Sequence, residues 1–335
     1  MCEMTHHKCG AQGSIFDDSE LTDHLRKRKE DISATLPYIL FQINKPEKSD
    51  GANKNAAADR SKHTVRKDKI HPRKGRKQMK ILAVGDVTSP AGVEHLAANL
   101  WQVRRKHGID FCIVNAENAS LITGASPEQA ELLLRSGADV LTGGNHTLRN
   151  RAIYTALDDT DALLRPLNFG AEAAGHGYAI FDTPLCRVLV INAMGNVHME
   201  PTLDSPYGAI DRLLLREAGR YDVSVLDLHA EATGEKLALA YAYDGRLSVV
   251  FGTHTHVPTA DLKILPGGTG YVSDLGMCGE SGGVLGMDPE TVVRRMRTHL
   301  PEKFVPAKGK PEADGVIFTV DEKTGKTVSC ERIVF

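Results

Sequence analysis

The sequence predicts a layered α/β domain over residues 79–335, behind a segment of different character. Three observations lead there: short apolar runs that each end in glycine or a polar residue, stretches of helical period between them, and a composition able to build a core. Of the 335 residues, 41% are hydrophobic and 25% charged, the balance of a globular chain. Strands alternating with helices form sheets covered by helices.

The patterned region opens at Met79. Lys80-Ile-Leu-Ala-Val-Gly-Asp86 is an apolar run closed by glycine and an acid, and the form returns in Phe111-Cys-Ile-Val-Asn-Ala-Glu117 and in Ala138-Asp-Val-Leu-Thr-Gly-Gly-Asn145-His146. It continues in Arg187-Val-Leu-Val-Ile-Asn192, Val223-Ser-Val-Leu-Asp-Leu-His229, Leu247-Ser-Val-Val-Phe-Gly-Thr-His254 and Gly270-Tyr-Val-Ser-Asp274. Such runs, rich in β-branched residues, are what strands buried on both faces look like. Between the first two, Val93, Leu96, Ala97, Leu100 and Val103 keep a three-to-four spacing, which predicts a helix over 92–107. Ser126-Pro127-Glu128 and Asp288-Pro289-Glu290 are helix starts, each with a capping side chain followed by proline in the first turn. Gly315-Val-Ile-Phe-Thr-Val320 and Thr327-Val-Ser-Cys-Glu-Arg-Ile-Val-Phe335, joined by Asp-Glu-Lys-Thr-Gly-Lys, read as a closing hairpin.

Residues 1–78 lack this pattern. Residues 45–59 have linker composition, and residues 60–80 hold ten Lys or Arg against the single acid Asp68. Without interleaved aromatics such a run reads as a disordered basic extension, with weak RNA contact through residues 60–80 as its functional alternative. Met79 as the true start, behind a mis-assigned upstream frame, is the other alternative. Cys2, His6, His7 and Cys9 fit no standard zinc spacing. The net charge of −2 gives no global reason for a nucleic-acid or membrane partner. There is no apolar run of spanning length and no secretory signal, and six scattered cysteines suit reduced thiols, so a cytoplasmic protein is expected.

The polar residues closing the runs are the candidates for chemistry, because crevices form at the carboxyl ends of such strands. They are Asp86, Glu117 with Asn118, Asn145 with His146, His229, and the pair His254 and His256. Carboxylate, amide and imidazole together suit divalent transition metals, and such a site attracts an anion and acidifies bound water. Attack on phosphorus by a metal-bridging hydroxide is the chemistry suggested. Each residue alone has a plainer reading: Asp86 as a helix cap or turn, Glu117 and Asn118 as loop closers, His229 as a hydrogen-bonded core histidine. Their shared placement at successive strand ends is what selects the metal-site reading.

Gly85-Asp86, Gly144-Asn145-His146 and Gly252-Thr-His254-Thr-His256 resemble the calcineurin-like metallophosphoesterases. With Asn115-Ala-Glu117-Asn118, Arg165-Pro-Leu-Asn-Phe169, Asp227-Leu-His229-Ala-Glu231, Glu235-Lys-Leu-Ala-Leu and Leu285-Gly-Met-Asp288 in the same order, the chain is similar to the bacterial YmdB-like group from about Met79 to its end. The resemblance implies a four-layer α-β-β-α sandwich, two divalent or trivalent metal ions (Fe or Mn), self-association into a homo-oligomer, and phosphodiesterase action on a small substrate, 2',3'-cyclic nucleotides. It makes Glu117 the bridging ligand, with Asp86, His256 and Asn118 on one metal and Asn145, His229 and His254 on the other. It casts His146 as the catalytic acid. Thr88 stands where the wider superfamily has a histidine, which leaves the first metal poorer in ligands. A phosphomonoesterase or phosphoprotein phosphatase, and a regulatory metal-binding protein with incidental turnover, remain the alternatives.

Overall fold

The computed structural model describes residues 78–120 and 124–335. All lie in Lys69–Phe335, the second of two units into which the chain divides. The expectations for residues 1–77, namely disorder, the Cys2–Cys9 cluster and the basic run up to Lys77, lie outside the described residues.

In chain order the elements are β1 (Gln78–Val84), β2 (Asp86–Val87), α1 (Pro90–His107), β3 (Phe111–Asn115), α2 (Pro127–Arg135), β4 (Val140–Thr142), α3 (Tyr154–Asp159), β5 (Tyr178–Asp182) and β6 (Arg187–Met194). There follow α4 (Pro206–Arg216), β7 (Val223–His229), α5 (Thr233–Ala242), β8 (Val249–Thr253), β9 (Lys263–Ile264), β10 (Gly270–Val272), β11 (Met277–Glu280), α6 (Pro289–Thr298), β12 (Pro311–Asp321) and β13 (Thr327–Val334). The helix starts read from sequence are present. Ser126 and Gln129 form a capping box at α2, and the Asp288 carboxylate accepts from Thr291 N at α6. Ser89 caps α1, accepting from Gly92 N at 3.2 Å, so Asp86 is not spent as a cap.

Two sheets result. One runs β2-β11-β12-β1-β3-β4, with β13 paired to β12, and the other β5-β6-β7-β8-β10-β9. β1, β3 and β4 are mutually parallel, as are β6, β7 and β8. The predicted hairpin is β12–β13, and β12 also pairs antiparallel with β1.

Strand alternation sorts the side chains into layers. Ile81, Ala83, Phe111 and Ile113 of the first sheet meet Val188, Val190, Val225 and Phe251 of the second in a core between the sheets. The intervening residues Leu82, Val84, Cys112 and Val114 point outward to α1 and α2. Leu189, Ile191, Leu226 and Leu228 do the same toward α4 and α5. The protein is therefore a four-layer α-β-β-α sandwich. Phe251 and Phe318 are fully buried, and each such side chain contributes about 1.5–3 kcal/mol relative to exposure. No helix among the described residues is long and apolar enough to cross a membrane.

Candidate metal centre

The face between the sheets is apolar along most of its length and turns polar at one height. On β3 the sequence Phe111, Ile113 gives way to Asn115; on β4 Val140 gives way to Thr142; on β6 Val188 and Val190 to Asn192. β7 passes from Val223 and Val225 to Asp227 and His229, and β8 from Val249 and Phe251 to Thr253. These polar residues are buried and satisfy one another, as buried polar groups must. Asp227 accepts from Thr142 Oγ1 at 2.5 Å, Thr253 Oγ1 at 2.7 Å and Asn115 Nδ2 at 2.9 Å. The Asn192 amide holds both the N–H and the carbonyl of Gly143 at 3.0 Å. A polar floor thus closes the hydrophobic core, and the candidate residues stand on it.

The structure brings all of them together. His229 Nε2 lies 3.1 Å from Asn145 Oδ1, 3.1 Å from His254 Nδ1 and 3.6 Å from Glu117 Oε1. Asp86 Oδ1 lies 3.7 Å from His229 Nδ1 and 3.9 Å from His256 Nε2. Asn118 bridges His256 Nε2 at 3.3 Å and His146 Nδ1 at 2.6 Å. Glu117 accepts from the His146 backbone N–H and from Thr147 Oγ1. Glycine makes part of this possible: a Cβ at Gly144 would overlap the His229 imidazole, and one at Gly85 the Gly276 carbonyl. His254 and His256 both have left-handed backbones, φ 100 and 62, a strained conformation for non-glycine residues. The Lys236–Asp274 ion pair, 2.8 Å and fully buried, grips the loop that carries them. Lys236 donates to Thr253 O at 2.8 Å, and Asp274 accepts from Thr255 N at 3.1 Å.

The hydrogen bonds fix the imidazole tautomers. Because the Thr253 hydroxyl donates to Asp227, its oxygen accepts from His229 Nδ1–H at 3.0 Å, leaving His229 Nε2 as a bare lone pair. His254 Nε2 lies 3.2 Å from the Glu231 carboxylate, which favours the proton on that nitrogen and a bare Nδ1. Two imidazole lone pairs and an amide oxygen therefore converge within hydrogen-bond distance with no proton among them, and a carboxylate lies just beyond. Acceptors packed this way repel unless a cation joins them. Asp86 Oδ1 is likewise buried without a hydrogen-bond partner. Among the described residues, no three His, Cys, Asp or Glu side chains are already closed into a metal-binding group. Yet two donors each ~2.1 Å from one ion stand at most about 4.2 Å apart, and the separations of His229 Nε2 from Asn145 Oδ1, His254 Nδ1 and Glu117 Oε1, and of Asp86 Oδ1 from His256 Nε2, are all shorter. The residues fit a metal centre.

Protonation tells the same story. Burial, helped by Asp274, pushes Asp86 up to about 8, and burial raises Glu117 well above the carboxylate range. Burial holds His229 well below its usual value, with the neighbouring His254 next in effect, and lowers His254 and His256. His146 is pushed down to about 4 by burial, then by Arg149, His254 and His256. A positive charge among these groups would draw the carboxylates back to their ionised form.

The profile of the YmdB-like protein family matches residues 82–333. The chain belongs to the YmdB-like family. A Bacillus subtilis (strain 168) relative named 2',3'-cyclic-nucleotide 2'-phosphodiesterase is 41% identical over 256 residues, 76% of this chain and 97% of that protein. A phosphatase of Mycoplasma pneumoniae, known from its crystal structure, gives a TM-score of 0.72 at 34% identity, covering 77% of this chain and 93% of its own. A Thermus thermophilus protein described as hypothetical gives 0.71 at 36%, covering 77% and 99%. The YmdB-like chain is accordingly an enzyme of the phosphoester hydrolase class.

In this YmdB-like chain the polar floor and the Lys236–Asp274 clamp are the functional features not read from sequence. The floor had a signal. Asn115, Thr142, Asn192, Asp227 and Thr253 each continue the period-2 phase of the inward apolar residues on their own strands. The clamp had none, since the isolated Lys236 in Glu235-Lys-Leu-Ala-Leu looks like a solvated helix residue until α5 is packed.

Proposed function

We propose that the protein is a two-metal phosphodiesterase acting on 2',3'-cyclic nucleotides, with Fe or Mn as the ions. The observation that carries this is the cluster of unprotonated acceptors, His229 Nε2, His254 Nδ1 and Asn145 Oδ1, beside Glu117. The activity named for the Bacillus relative supports the substrate class. Asn145, His229 and His254 would hold one ion, Asp86 and His256 with Asn118 the other, and Glu117 both. When bound, such ions supply charge that draws a phosphate and acidifies water.

The chain's own residues do the rest. Asp227 and Thr253 keep His229 in the ligating tautomer. Asn118 accepts from His146 Nδ1–H and so turns His146 Nε2 free. Held neutral chiefly by burial, His146 needs the negative charge of a bound phosphate to gain the proton it then delivers to the departing ribose oxygen. A phosphomonoesterase is the second reading, supported by the name of the Mycoplasma structure.

The deciding experiment joins metal analysis of protein purified without chelators to turnover on a cyclic nucleotide and a phosphomonoester. Two ions per chain with preferred diester turnover is the expected result. Glu117→Gln should lose both metal and activity while staying folded, since an amide cannot replace a bridging charge. Two retained ions at full rate would remove Glu117 from the centre.

A further inference from the structure

Next to the centre lies a cavity of about 230 Å³ that shares His256 with it. Val257 and Leu285, 50% and 45% exposed, contribute apolar surface to its wall. Leu285 is held there at a conformational cost. Val284 and Met287 exchange backbone hydrogen bonds of 2.8 and 3.0 Å, closing a two-residue turn with Leu285 at φ 53 and Gly286 at φ 83. Positive φ at both central positions is the type I′ turn, for which Asn-Gly is the favoured pair. A branched apolar residue strained in this way, with its side chain turned to solvent, points to a role outside folding. The polar wall is acidic. Glu280, anchored by Ser89 Oγ at 2.6 Å, and Glu312 line it, and no lysine or arginine does.

The charge excludes a phosphate and the apolar surface suits a flat ring. The two walls together fit a neutral ring that carries N–H donors. We propose that this cavity is the nucleobase subsite, with Leu285 as its apolar platform and Glu280 and Glu312 as acceptors for exocyclic amino groups. The inference rests on the cyclic-nucleotide reading, whose phosphate would sit at the neighbouring centre. Adenine, cytosine and guanine present amino donors, whereas uracil presents carbonyl oxygens in their place. Acceptors left unpaired, or facing oxygen, are what make a polar pocket reject an analogue.

The test compares kcat/KM of the metal-loaded full chain on the four 2',3'-cyclic nucleotides and on the 2',3'-cyclic phosphate of methyl ribofuranoside, a diester without a base or any aromatic ring. The uridine compound should be about tenfold poorer than those of adenosine and guanosine, and Glu280→Gln should narrow that gap. Leu285→Ala should raise KM for the nucleotides about tenfold and for the base-free diester by much less. Equal kcat/KM on all four bases, or equal losses on nucleotides and base-free diester, would overturn the subsite and leave the phosphodiesterase reading standing. Turnover of the base-free diester with none of the four nucleotides would overturn both.

Discussion

Asp227 touches no proposed substrate or ion, yet it decides which nitrogen of His229 is available. Its three donors, Thr142, Thr253 and Asn115, leave it acceptor-only. Asp227→Asn would put N–H groups against those donors and release Thr253 to donate toward His229. Partners of this kind typically contribute 10–100-fold to metal affinity, so a competition titration of the variant should show a loss of about that size. Unchanged affinity would mean that the tautomer is held by something else. His146 tests the opposite property. His146→Ala should keep both ions and lose ~10²–10⁴ in rate on a cyclic nucleotide, the usual range for acid–base catalysis. The loss should shrink on nitrophenyl esters, whose leaving groups need no proton. Equal losses on both would assign His146 to phosphate binding, and lost metal would make it a ligand.

Among the elements, the loop after β8 depends on α5. The left-handed His254 and His256 are kept in place by the Lys236–Asp274 pair, which holds Thr253 from one side and Thr255 from the other. Breaking a buried pair by removing one partner costs about 3–5 kcal/mol. Lys236→Met should therefore lower unfolding free energy by roughly that much, and adding Asp274→Asn should recover part of it, because no lone buried charge remains. Denaturant unfolding of the singles and the double checks this, and strict additivity would show that the two residues act separately. The same stretch marks where sequence was legible. Long apolar runs gave β1, β3, β6, β7 and β8, and the Ser-Pro and Asp-Pro starts gave α2 and α6. The start at Ser205-Pro206, which opens α4, was not among the helix starts recognised, although Ala209, Ile210, Leu213 and Leu214 keep a three-to-four spacing after it. α5 begins after Ala232 with no capping side chain, which leaves Glu235 in its first turn as a weak start signal. β2 and β9, two residues each, exist only through their partners in the sheet. The proposed ligating positions were legible because each follows a strand that was; the residues that orient them were not, because their partners come from other strands.

For the molecule as a whole, the proposed centre lies where the two sheets' strands end, with three candidate ligating segments from the first sheet and two from the second, so bound ions would join them. Without ions, Asp86 at about 8 and Glu117, raised well above its usual range, keep protons in the folded state that the unfolded chain has released by neutral pH. Stability from such raised carboxyl groups is present below their unfolded pKa and lost as pH rises toward the folded value, by at most about 1.4 kcal/mol per unit per group. The lowered histidines act in the opposite direction, but only below their unfolded value near 6.5. From pH 6.5 to 8 the carboxylates alone act, so Tm of the chelated protein should fall over that interval more steeply than that of the loaded protein, in which only Asp227, pushed up to about 7 by burial and away from the ions, still acts. Parallel curves would show that the carboxylates are neutralised by other means. The topology of the first sheet sets a further condition, on manufacture rather than on chemistry. β12 lies between β1 and β11, so the first strand waits for the last hairpin. Phe335 exchanges two backbone hydrogen bonds with Ala313, so the pairing extends as far as that residue. At ~5–20 residues per second, a ribosome leaves β1 without this neighbour for roughly 10–50 s. Through that interval the nascent chain carries an open apolar edge, and its risk of aggregation is greatest then.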